Sequence, residues 1–227
     1  MLIMMSSKER REERLANVVS DTLSERAYNL VLGGIVLYGF VVNALIVGFA
    51  ESYILNMNMW VLIIGYFISC ILGAVISSAS HNPFISFLGY NMIVVPVGAV
   101  LTIGLKGYSE ANILAAMIMT GGVVFAMITA SAAFPNFFSS LGMTLFCCLG
   151  FGVLAEIIAM LFGYRGALFD WFFVIIFSLY IGYDWYRAQE YSKTLDNAVD
   201  SAIDIYLDIV NLFIRLLEIM SRSSRRK

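Results

Sequence analysis

The chain has 227 residues, of which 60% are hydrophobic and 13% charged, with a formal net charge of −2. Its mean hydropathy is positive, so a water-soluble fold would have too little polar surface to cover itself, and the bilayer is the natural solvent. No separate soluble domain fits, because spans of about 20 apolar residues each use up most of the length.

The first two dozen residues, through Arg26, are polar and strongly charged. They lack the short apolar core and small-residue cleavage site of a signal peptide, so residues 1–26 are expected to be a retained cytoplasmic tail. Seven membrane-spanning or membrane-embedded helices follow, at roughly 27–50, 59–79, 84–105, 110–133, 139–162, 166–186 and 199–220, as apolar runs broken by Gly, Pro, Asn and charge. Residues 27–220 are thus one all-α membrane domain, and 221–227 a basic tail. The connectors are short except for Arg187 to Val199, which is long and polar. In the fourth span Gly122, Ala126 and Ala130 recur every four residues, which lets a neighbouring helix come close. Cys70, Cys147 and Cys148 lie in apolar stretches and behave as small hydrophobes, pointing to neither a disulfide nor a metal.

The last segment is the least membrane-like. It carries Asp200, Asp204, Asp208, Arg215 and Glu218, and one charge at the centre of an inserting helix costs about 2.5–3.5 kcal/mol. The other helices must therefore shelter it, which places it at the centre of the bundle. Basic residues divide seven against seven between the two faces if all seven segments cross. If the last one turns back the division is twelve against two, and by the positive-inside rule this count favours both termini in the cytoplasm.

Chemistry is expected at the carboxylates. Asp204 and Asp208 share a helix face, and with Asn211 and Arg215 they form a polar stripe. Asp184 closes the preceding span, and the residues up to Asp208 allow a hairpin that brings these two carboxylates together. Such a pair cannot comfortably ionise twice in a low dielectric and titrates as a unit. The plainer account makes Asp184 an interfacial helix end with Arg187 as surface partner, and lets Asp204 and Asp208 face a hydrated edge. Glu156 is a further intramembrane carboxylate, whose charge partner must come from another helix. Asp170 lies nearer a span end and reads as interfacial, and His81 as a turn residue beside Pro83. Motifs for nucleotide, haem, phosphate or zinc-protease chemistry are absent.

The span layout, the Tyr183–Asp184 element and the stretch Ile203 to Met220 (IDIYLDIVNLFIRLLEIM) together resemble the Bax inhibitor-1 family. The resemblance covers nearly the whole chain in layout, and its specific part runs from Tyr183 to Met220. It implies a seven-helix fold around a central C-terminal helix and a pH-sensitive calcium leak. Asp184 and Asp208 would be the proton-sharing, pH-sensing pair that meets Ca2+, with Asp204 and Glu156 as further contacts along the path. The sequence departs from the family pattern in two places. Trp185 and Tyr186 follow Asp184 in place of Thr-Gln, and Gly73 to Ser80 contains no arginine to latch the pair, leaving Arg187 or Arg215 as charge partners.

Beyond the bilayer and calcium ions, the resemblance also permits a membrane protein partner, a protease or a cell-death factor, regulated without conduction. No cofactor and no nucleic acid are expected. Intramembrane aspartyl proteases also place aspartates on adjacent helices, but they need Gly-x-Gly-Asp where this chain has Ile205, Tyr206 and Leu207 before Asp208, so no enzyme is expected. A bacterial plasma membrane is the expected location, with a eukaryotic endomembrane as the alternative.

Overall fold

Helix starts in this chain are written in short polar residues. In the computed structural model, which describes residues 22–164 and 166–224, the side chains of Ser24, Asn58, Asn82 and Ser109 each accept a hydrogen bond from a backbone N–H of the helix that follows. Thr194 does the same for Asn197 at 3.2 Å. Each thereby satisfies one of the orphan donors at a helix N-terminus. The helices so begun are α1 (Glu25–Phe49), α3 (Met59–Ala79), α4 (Pro83–Leu105), α5 (Glu110–Ala133) and α9 (Leu195–Ser224). Between them lie the short α2 (Glu51–Leu55) and α6 (Pro135–Ser139), and the long α7 (Gly142–Leu161) and α8 (Ala167–Glu190).

The fold is an all-helical membrane bundle. Among the described residues seven helices are long, and six of them, all but α9, are apolar enough to cross a bilayer. The exception is the segment that its charges set apart. Leu30, Phe67, Ile118, Phe125, Phe146 and Leu161 on the other helices are exposed, as a lipid-facing surface requires. α9 instead packs against α1, α4, α5 and α8, and its Ala202, Ile205, Tyr206, Leu212, Leu216 and Leu217 are buried. Tyr206 anchors it: its hydroxyl accepts from Asn43 Nδ2 at 2.7 Å, and its ring meets Tyr90 edge-on with centroids 5.6 Å apart.

The α3–α4 hairpin closes by backbone approach. A Cβ on Gly73 would lie 2.5 Å from the Gly89 carbonyl oxygen, and one on Gly89 would lie 2.6 Å from that of Gly73. Only glycine fits at such a crossing.

The polar connector is shorter than expected. α8 continues to Glu190 and α9 begins at Leu195, so Tyr191 to Thr194 alone join them. Hydropathy ends a span where polar residues begin, but these residues remain helical because their side chains find partners. Lys193 Nζ donates to the Ala188 and Gln189 carbonyls, which lie in the last turn of α8, and Gln189 donates to Asn29 Oδ1 at 2.9 Å. The connectors 51–58 and 134–136, expected as loops, contain α2 and the start of α6.

A second correction concerns the last segment, which does not turn back. The backbone N–H of Leu23 donates to the Lys193 carbonyl at 2.6 Å, which sets the start of α1 beside the α8–α9 connector. At the other end of α9, Arg222 reaches Asp170 in the first turn of α8. α9 therefore runs antiparallel to α8 from end to end, and the described ends of the chain lie at opposite ends of the bundle. The twelve-to-two count fails because it treats Arg215 and Arg222 as free loop charges, whereas both are ion-paired inside the fold. The expected N-terminal tail up to residue 21, the basic residues 225–227 and Arg165 lie outside the described residues.

Candidate functional site at the Asp184–Asp208 pair

Packing fixes the last two turns of α8. Ser131 of α5 donates its hydroxyl to the Gly182 carbonyl at 2.7 Å. A side chain at Gly182 would run into the Phe138 ring, and one at Gly142 would run into Tyr183. α5, α6 and α7 thus close on Gly182 and Tyr183, and the next residue, Asp184, is turned toward α9.

There it meets Asp208. The two carboxyl groups are close neighbours, and both residues are buried, with 7% and 9% of their surface exposed. Two ionised carboxylates can only accept, so a hydrogen bond between them would need a proton on one. Asp208 Oδ2 is buried without a hydrogen-bond partner. Arg187, one turn beyond Asp184, donates from Nη1 to Asp184 Oδ1 at 3.2 Å and lies 3.7 Å from Asp204 Oδ2. It is steadied by the Tyr191 hydroxyl at 2.6 Å and sits over the Tyr183 and Tyr191 rings. The hairpin thus brings together Asp184, Asp208, Asp204 and Arg187. Asp204 is the outer member, with 49% of its side chain exposed.

The aspartates continue outward along α9 at four-residue intervals, through Asp200 to Asp196. The Ser77 hydroxyl donates to Asp200 and the Ser86 hydroxyl to Asp196 Oδ1, the latter at 2.6 Å. His81 lies 3.9 Å from Asp196 with a nearly fully exposed ring. Sequence reasoning took up only the inner two members of this ladder. The i, i+4 spacing back to Asp196 was the signal that could have found the others, and the serines of the α3–α4 hairpin become visible as partners only in three dimensions.

Two expected members of the site lie elsewhere. Arg215 is seven residues beyond Asp208, on the order of 10 Å along the helix. It pairs with Glu156 Oε1 and Oε2 at 2.6 and 2.7 Å, and with Asp170 Oδ1 at 3.3 Å. Its guanidinium also stacks 4.3 Å from the Phe173 ring. It is therefore no partner of the aspartate pair, and Glu156 is a partner of Arg215 away from that pair. Asp170, expected at the interface, is 1% exposed. An arginine far away in sequence holds it inside, which its position near a span end does not reveal.

Comparison with known proteins gives the family. The family model described as inhibitor of apoptosis-promoting Bax1 matches residues 20–225. The chain belongs to the Bax inhibitor-1 family. A curated relative, Bax inhibitor 1 of Schizosaccharomyces pombe, is 29% identical over 179 residues, which cover 75% of this chain and 65% of the relative. The matched region takes in α8 and α9, which carry Asp184 and Asp208.

Proposed function

We propose that this Bax inhibitor-1 family member is a pH-sensitive calcium leak channel, controlled by the proton that Asp184 and Asp208 share. The observation that carries this reading is the contact between two buried carboxyl groups on adjacent helices of a membrane bundle. One arginine, Arg187, serves both Asp184 and Asp204, so among the described residues the carboxylates around the pair outnumber the guanidinium groups. Protonation changes its charge, and with it the attraction for a cation and the fit between α8 and α9.

The pair offers two carboxylates, and calcium takes six to eight oxygen ligands. Among the described residues no three His, Cys, Asp or Glu side chains converge as a metal cage. In this reading calcium is cargo, and Asp184, Asp208 and Asp204 are the oxygen ligands it meets along the path. Calcium flux into proteoliposomes across pH tests the reading. Flux that varies with pH in the wild type and loses that dependence in Asp208→Asn supports it; identical profiles overturn it.

A second reading, regulation of a membrane partner without conduction, is favoured by one feature. Gly122 and Ala126 on α5 are exposed, and a Cβ on Gly122 would meet nothing within 4 Å. That face can receive another helix, and the family description names an apoptosis-promoting target. Stoichiometric co-purification of a membrane protein, lost in Gly122→Leu, with no flux from the isolated chain, would establish this reading over the first. A bacterial plasma membrane remains the proposed location, with a eukaryotic endomembrane as the alternative.

A further inference from the structure

α1 and α5 both pack on α9 but not on each other, and the space left between them is a groove of about 610 Å3. Its α1 wall runs from Gly33 to Gly48 and its α5 wall from Ile113 to Val124, while Ile209, Val210 and Phe213 of α9 lie at its floor. Along α1 the groove is about 22 Å long, more than half of a hydrocarbon core about 30 Å thick. Leu37 and Met117 in its walls are well exposed on helices that cross the membrane, so it opens to the bilayer.

The groove presents hydrocarbon. Its two polar side chains, Asn43 and Thr120, are turned to the protein. Thr120 donates to the Ala116 carbonyl at 2.7 Å, Asn43 Nδ2 donates to the Tyr206 hydroxyl at 2.7 Å, and Asn43 Oδ1 is buried against Gly98. Small residues make the room, since a Cβ on Gly33, Gly48 or Gly121 would meet nothing within 4 Å.

A positive charge stands at one end. Lys106 caps α4 directly after Leu105, which lines the groove, and it is exposed. Among the described residues it forms no ion pair, not even with Glu110 four residues on. A lysine at the membrane interface, beside an apolar groove, is complementary to a lipid phosphate above its acyl chain. A partner helix would pack through its surface shape and needs no such charge.

We propose that this groove is a phospholipid site, in which an acyl chain lies between α1 and α5 against α9 and the phosphate meets Lys106. The lipid thereby completes the shelter of α9 where no helix covers it. Ile209 and Val210 follow Asp208 directly, so the chain rests on the helix that carries this aspartate. The inference does not depend on calcium passage.

Native mass spectrometry of the full chain, released from nanodiscs of phosphatidylglycerol, reads bound lipid directly. The wild type is expected to keep one phosphatidylglycerol after the surrounding lipids are stripped. Lys106→Gln should weaken that retention about fivefold, the worth of one basic residue at a lipid surface. Diacylglycerol, which has the chains but no phosphate, should be retained equally by both. Gly121→Leu should lose the lipid and Gly122→Leu should keep it, because both new side chains enter open space but only Gly121 lines the groove. Equal retention in wild type, Lys106→Gln and Gly121→Leu would overturn the proposal. So would a co-purifying membrane protein, in place of lipid, that Gly121→Leu releases.

Discussion

The two ends of the α8–α9 pair both bury carboxylates, but they compensate them differently. Around Asp184 and Asp208 a single, partly exposed arginine serves Asp184 and Asp204, and Asp200 and Asp196 continue the negative charge outward with serine hydroxyls as partners. Around Asp170, among the described residues, two arginines face three carboxylates, and Arg215 is held in a bidentate pair over an aromatic ring. Among the described residues the first end keeps an excess of carboxylates, the feature on which the proposed response to protons and cations rests. The second approaches balance, and its charges tie helices together. Position on the polar stripe of α9 is therefore a poor guide to role; the ratio of arginine to carboxylate in three dimensions is a better one.

The largest expected effect breaks the balanced end. Arg215→Ala leaves Glu156 and Asp170 buried without their main counter-charge, and the stability loss should be about 3–5 kcal/mol, seen as a lower melting temperature in detergent or nanodiscs. In the same assay Asp208→Asn should cost no more than about 1 kcal/mol, because the amide keeps the shape and can donate to Asp184. If the two variants lose equal stability, the contrast between the ends is wrong.

Gly182→Ala comes next. Its methyl group would push the Phe138 ring off α8, at a cost of about 1–3 kcal/mol for overpacking. It should alter flux against pH while leaving the Glu156–Arg215 pair intact. Arg187→Gln should be the mildest in stability, about 0–1 kcal/mol, since the arginine is partly exposed. It should still displace the pH midpoint of flux toward alkaline values, because removal of the nearby positive charge favours the proton on the pair. A shift toward acid would contradict the assigned role of Arg187.

Much of this architecture is legible in the sequence. Seven apolar or amphipathic runs give the seven long helices, and the charged last run gives the sheltered α9, since a helix with that many charges is stable in a bilayer only when others surround it. A hairpin that brings Asp184 toward Asp208 is readable from two adjacent polar-ended segments, although the sequence suggests a longer connector than Tyr191 to Thr194, which join the two helices. What local pattern could not give is the destination of long side chains. Arg215 lies on the same stripe as Asp208 but points its guanidinium to α7 and α8, and Asp170 sits near a helix end but is drawn inside by residues 45 and 52 positions later. The helical extension of α8 to Glu190 was hidden for the same reason. Arg187, Gln189 and Lys193 read as loop residues until the partners that keep them on or beside a helix are seen.

One measurement bears most directly on the central claim that the aspartate end, and not the arginine end, sets the response to protons. Calcium flux against pH should be recorded for wild type, Asp208→Asn and Glu218→Gln reconstituted side by side. The account predicts a pH-dependent wild type, a flat profile for Asp208→Asn, and a midpoint for Glu218→Gln that matches the wild type. A wild-type profile in Asp208→Asn, or a flat one in Glu218→Gln alone, would contradict it.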